Sequence, residues 1–107
     1  YERVFKKNSS MGEKLRFRVE HAQHVHPSDV PRFGALGVIA SVQGIHCVSD
    51  GPWIPSRLGE MRTRRTSYPW RDLIDSGALI ANGTDVPVEK ISPLASFTAS
   101  VTRTMNN

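Results

Sequence analysis

Residues Leu36-Gly37-Val38-Ile39-Ala40-Ser41-Val42-Gln43-Gly44 hold a near-continuous apolar run set between two glycines. A strand with one wet face alternates polar and apolar residues. A run without alternation reads as a strand buried on both faces, the habit of parallel sheets covered by helices. Working towards the N-terminus, Pro27-Ser28-Asp29 marks a helix start, with Ser28 as a cap and Asp29 at the positive end of the dipole. That helix runs through Phe33 and Leu36 and stops at Gly37, which suits the position just past a helix. Before it, Leu15-Arg16-Phe17-Arg18-Val19-Glu20 alternates apolar and charged residues and predicts a strand. The chain opens on a helical stretch from Tyr1 to about Asn8, broken by Asn8-Ser9-Ser10-Met11-Gly12.

Towards the C-terminus, the spacing predicts a long loop from Gly44 to about Pro55, rich in Gly, Pro and Ser. A helical pattern covers Leu58 to Ser76, interrupted at Tyr68-Pro69 and ended by Gly77. Leu79-Ile80-Ala81 reads as another short buried strand, and Pro93 opens a last helix through Leu94, Phe97 and Val101. The order is α-β-α-β-α-β-α, and strands separated by helices argue for parallel pairing through crossovers. Three parallel strands close no barrel, so the natural expectation is a slice of an eight-stranded α/β barrel.

Bulk composition supports a partial core. The 107 residues suffice for one small domain, with 38% hydrophobic and 7% aromatic content, low for a chain that stands alone. The first residue is Tyr1 and the opening reads as mid-helix, so the expectation is a segment of a longer protein. The formal charge is +4, from 14 Lys and Arg against 10 Asp and Glu. Arg57, Arg62, Arg64 and Arg65 form one basic group and Arg3, Lys6, Lys7, Lys14, Arg16 and Arg18 another. Aromatics are not interleaved with them, which argues against nucleic acid as the partner and for a solvated face. No apolar stretch is long enough to cross a bilayer, and no signal peptide opens the chain. The single cysteine, Cys47, excludes an internal disulfide, reads as a small buried hydrophobe and suits a cytoplasmic location.

In barrels of this kind the site lies where the strands end. The first strand delivers Glu20-His21-Ala22-Gln23, the second Gln43 with His46 beyond it, the third Thr84-Asp85-Val86-Pro87. Imidazole and carboxylate together suit zinc or iron. A histidine after a strand is more often a structural residue than a ligand, and Asp85 also fits an ordinary turn. His24-Val25-His26 mimics a metal-binding pair but leads into Pro27, and reads as surface histidines.

Arg16-Phe17-Arg18-Val19-Glu20-His21-Ala22-Gln23 resembles a signature segment of the amidohydrolase superfamily, closest to the family-three branch that includes N-substituted formamide deformylase. Matches continue in order: Arg32-Phe33, Leu36-Gly37-Val38-Ile39-Ala40-Ser41-Val42-Gln43, His46 and Asp50. Arg57-Leu58-Gly59, Arg62, Tyr68, Trp70-Arg71, Asn82-Gly83-Thr84-Asp85-Val86-Pro87-Val88-Glu89 and Pro93-Leu94 follow. The resemblance covers nearly the whole chain from Leu15 onward.

It implies a single metal-dependent hydrolase domain of which residues 1–107 are the C-terminal part: strands six to eight of a (β/α)8 TIM-type barrel with their helices. It further implies hydrolysis of non-peptide carbon–nitrogen bonds in a small amide-type substrate. His21 and Asp85 would be metal ligands, Asp85 also the general base, and His46 a catalytic residue bonded to the substrate carbonyl. His46, Gln23 and Arg62 would contact substrate, and Gln23 or Glu20 would orient His21. The cofactor implied is one or two divalent ions, zinc ahead of iron; a homo-oligomer stays open. Two departures stand out: Thr84 replaces the usual serine, and Gly44-Ile45 replaces the usual proline between Gln43 and His46. The family's strand-one HxH pair, strand-four lysine or glutamate and strand-five histidine find no counterpart here. The segment alone is therefore expected to be inactive and to need the remainder of the barrel. The alternative is a degenerate, non-catalytic scaffold.

Overall fold

The computed structural model describes residues 1–7 and 15–104. Three strands form one parallel sheet in the order β1-β2-β3: β1 (Arg18–Glu20), β2 (Ile39–Val42) and β3 (Ile80–Asn82). Glu20 lies opposite Ser41 and Ser41 opposite Ala81, so all three strands end on one rim.

The apolar run of β2 forms the centre of the sheet because its side chains have cover on one face. Ala40 and Val42 are 0% and 1% exposed, and Leu73 is 0% exposed. They share a core with Val25, Val30, Ile54, Tyr68 and Trp70. Burying a side chain such as Leu73 contributes about 1.5–3 kcal/mol. α2 (Val30–Ala35) and α6 (Trp70–Asp75) pack against each other over this face. The close approach requires Gly34, where an added Cβ would stand 1.8 Å from the carbonyl oxygen of Ser76. Gly37 and Gly77 end the two helices with φ of 62° and 88°, as their positions predicted.

On the opposite face, Arg18 and Glu20 are exposed and pair with each other. A hydrogen bond from Ser41 holds the Glu20 carboxyl below its usual range.

Six expectations need correction. β2 is fully buried on one face only, since Ile39 and Ser41 on the other are half-buried. The last strand is not buried: Leu79 and Ala81 are exposed and Ile80 half-buried, because β3 lies at the edge of the sheet. The first strand starts at Arg18 and not Leu15, since Arg16 turns left-handed (φ 50°) and β2 joins the sheet only at Ile39. Ser28 does not cap α2: its hydroxyl meets His26 Nδ1 at 2.7 Å, and Asp29 precedes the helix without a side-chain cap. The expected loop from Gly44 is helical over most of its length, comprising α3 (His46–Ser49), a 3₁₀ turn (Gly51–Trp53) and α4 (Ile54–Leu58). Pro52 and Pro55 open turns there instead of breaking them, because the first helical position needs no N–H. The long helical stretch is split at Gly59 (φ 78°) as well as at Tyr68-Pro69, leaving α5 (Glu60–Thr66) between the breaks.

α1 (Glu2–Lys7) is anchored by stacked rings: Phe17 lies 5.0 Å from Tyr1 and 5.6 Å from Phe5. α7 (Pro93–Thr102) starts at Ser92, whose hydroxyl accepts from Ala95 N–H. The predicted break at Asn8–Gly12 lies outside the described residues. Among the described residues, no helix is long and apolar enough to cross a membrane.

Candidate metal centre

Each strand hands one polar residue to the shared rim. His21 directly follows β1 and Asp85 sits three residues past β3, both with left-handed backbones (φ 64° and 59°). Side chains at such positions cost about 1–3 kcal/mol each, and such strain concentrates where a site must be pre-set. His46 opens α3, four residues past β2.

These three residues meet. His46 Nε2 lies 2.9 Å from Asp85 Oδ2, and His21 Nε2 lies 4.0 Å from Asp85 Oδ1. The two imidazoles sit 5.6 Å apart between centroids. One ligand atom from each of His21, His46 and Asp85 lies within 4.8 Å of the others. Burial is graded: the side chain of His46 is 9% exposed, Asp85 25% and His21 46%. The rim is also acidic. His46 Nδ1 stands 3.3 Å from Asp50 Oδ2 and 3.6 Å from Glu89 Oε1, but is aligned for a hydrogen bond with neither. Glu89 is carried there by the turn after β3, where its N–H donates to Asp85 O.

Two imidazoles and a carboxylate are a donor set that suits zinc or iron(II). A carboxylate near the far nitrogen of such a histidine is a usual outer support, and Asp50 and Glu89 stand there for His46. The residues therefore fit a divalent cation, with His21 and Asp85 as the donors expected from the sequence and His46 beside them, its Nε2 on Asp85 Oδ2.

The remaining candidates lie outside this cluster. Gln23 turns inward: its amide nitrogen donates to Tyr68 Oη at 2.9 Å and to Asp50 Oδ2 at 3.3 Å. Glu20 is engaged with Arg18 and Ser41. Gln43 donates to Ser41 O at 3.3 Å, and its Oε1 is buried without a partner among the described residues. Arg62 is exposed on α5 and lines a separate open cleft of about 550 Å³ with His24, His26 and Arg65. His24 and His26 take no part in the three-residue cluster; burial pulls the His24 pKa down, against an opposing pull from Asp50. Cys47 is half-buried, its thiol donating to Ala99 O at 3.3 Å, and burial pushes its pKa up.

The roles of Asp50, Tyr68 and Glu89 were not assigned from sequence. All three stand within motif matches, yet nothing in their spacing indicates that they surround His46.

The family model described as the amidohydrolase family matches residues 1–107. The chain belongs to the amidohydrolase family. It is 43% identical over 88 residues to Protein LONG AFTER FAR-RED 3 of Arabidopsis thaliana, covering 82% of this chain and 15% of that one. It is 34% identical over 86 residues to the putative amidohydrolase YtcJ of Bacillus subtilis, covering 80% and 16%. The fold is similar to an uncharacterized metal-dependent hydrolase from Pyrococcus horikoshii, with TM-score 0.77 and 33% identity over 94% of this chain and 19% of that one. The corresponding protein from Pyrococcus furiosus gives TM-score 0.72 and 31% identity over 91% and 19%. The amidohydrolase chain thus spans under a fifth of the length of these relatives.

Proposed function

We propose that this amidohydrolase chain forms strands six to eight of a (β/α)8 barrel and supplies part of the active site of a hydrolase acting on carbon–nitrogen bonds of small amides. The observation that carries this reading is the meeting of His21, His46 and Asp85 at the C-terminal ends of parallel strands. The formamide deformylase-like branch is the nearest activity on the motifs, and the cytoplasm the expected location.

His21 and Asp85 would hold the cation, zinc ahead of iron, with His46 beside them and bonded to Asp85. When bound, such an ion would supply Lewis acidity that lowers the pKa of a water towards about 7. Asp85 handles the proton: its carboxylate accepts one from the attacking water and returns it to the departing nitrogen. Water and amide become acid and amine, and Asp85 ends as it began. His46 Nε2, already engaged by Asp85 Oδ2, fixes which oxygen faces the reacting groups. The sequence resemblance implied a bond from His46 to the substrate carbonyl; its burial and this contact favour orienting Asp85 instead. The position of Arg62 on a separate cleft leaves its substrate role resting on the motif match alone.

A degenerate scaffold is the competing reading, favoured by the small number of ligand groups: only three cluster among the described residues. Elemental analysis separates the two. About one or two zinc or iron ions per intact natural protein, lost on His21→Ala, is the outcome expected of a hydrolase. Absence of metal from the intact protein removes the case for catalysis.

A further inference from the structure

Tyr68 is 5% exposed and meets Trp70 edge-on at 5.4 Å between centroids. For core packing a phenylalanine would serve as well, so the hydroxyl needs its own explanation. It donates to the backbone carbonyl of His46 at 2.7 Å and accepts from Gln23 Nε2 at 2.9 Å. Gln23 Nε2 also donates to Asp50 Oδ2 at 3.3 Å, and that oxygen lies 3.3 Å from His46 Nδ1. The contacts close a ring: Gln23, Tyr68, His46, Asp50 and back to Gln23. A second bond ties the same parts, as Tyr68 N–H donates to Gln23 O at 2.7 Å. The ring joins three segments distant in sequence, namely the turn after β1, the start of α3 and the break between α5 and α6.

Tyr68 itself is held against movement. Its backbone is left-handed (φ 51°), and its carbonyl accepts from the Arg103 guanidinium at 2.6 Å. That guanidinium lies over the Trp70 ring at 5.1 Å. Burial raises the phenol pKa well above its usual value, so the hydroxyl keeps its proton.

We propose that Tyr68, assisted by Gln23, is a positioning residue that fixes His46 against Asp85. His46 enters the site through the first residue of a four-residue helix, too short to hold its own orientation. The Tyr68 hydroxyl pins the carbonyl of that residue, and Gln23 holds the Asp50 carboxylate behind the imidazole. Gln23 stands two residues from His21, so one amide side chain registers both histidine-bearing segments. The zinc readout below rests on the hydrolase reading; the imidazole readout does not.

The test uses the intact natural protein carrying Tyr68→Phe, which removes one oxygen and keeps the ring. Zinc affinity, measured by competition with a chromophoric chelator, is expected to fall about tenfold, the lower range for loss of an outer partner of a metal site. Val30→Ala, in the same core but party to none of these contacts, is expected to leave zinc affinity unchanged. In a His46→Gln background, Tyr68→Phe is expected to add nothing, since coupled residues are not additive. The nitrogen-15 signals of the His46 imidazole in the metal-free protein are expected to shift in Tyr68→Phe. An unchanged affinity with unchanged imidazole signals overturns the proposal, as does the same tenfold loss without His46. If the intact protein takes no zinc, the hydrolase reading fails and the imidazole signals alone decide this one. Should Tyr68→Phe not fold, Gln23→Met removes the amide donors at the surface end of the ring and carries the same expectations.

Discussion

Asp85→Asn separates chemistry from folding at this site. The side chain keeps its size, and its remaining carbonyl oxygen can still accept from His46 Nε2, now 2.9 Å from Oδ2. What disappears is the charge. A hydrogen bond to a charged group is worth about 1.5–3 kcal/mol and a neutral one about 0.5–1.5, so the fold should lose about 1 kcal/mol. Asp85 is a quarter exposed, which keeps this figure at the low end. Loss of a general base costs about 10²–10⁴ in rate. At about 1.36 kcal/mol per decade, that is about 2.7–5.4 kcal/mol, several times the effect on folding. The assay is amine release from a panel of N-formyl and N-acyl amines by the intact natural protein, alongside its thermal melting and metal content. Hydrolysis within about threefold of the parent, with metal still bound, would refute the assignment of Asp85 as base, since such a change is under about 1 kcal/mol.

Two further outcomes follow from groups outside the cluster. His24 has its pKa depressed chiefly by burial, with Asp50 pulling the other way, so the unfolded chain binds the proton more readily than the fold. Stability should therefore fall as pH drops through the ordinary histidine range near about 6.5, and His24→Gln should flatten that part of the stability–pH curve; an unchanged slope refutes the argument. Cys47, half-buried with its thiol on Ala99 O and its pKa raised by burial, should react with a disulfide reagent at pH 8 at least tenfold slower than a free thiol, on the order expected for a suppressed thiolate. Reaction at the free-thiol rate would refute the argument.

The architecture was legible because it depends on local pattern. The apolar run of β2, the glycines at Gly37 and Gly77, and Pro93 at the start of α7 each mark their element within a few residues. Where the pattern misled, a neighbour in space had overruled it. Prolines at Pro52 and Pro55 read as loop residues until their places in the first turns of helices were known. Ser28 was a sound cap by type, yet His26 claimed its hydroxyl.

For the site, the sequence by itself determined which residues arrive at the rim. Parallel strands all end on one side, so His21 after β1, His46 after β2 and Asp85 after β3 must share that side. It did not determine what these residues do to each other. Whether His46 faces Asp85, and what holds it there, depends on contacts between residues as far apart as Gln23 and Tyr68, whose approach no periodicity encodes. Hydrogen bonds act over about 3 Å. Chain spacing sets which strand end a residue reaches, and only the packed structure sets position on that finer scale.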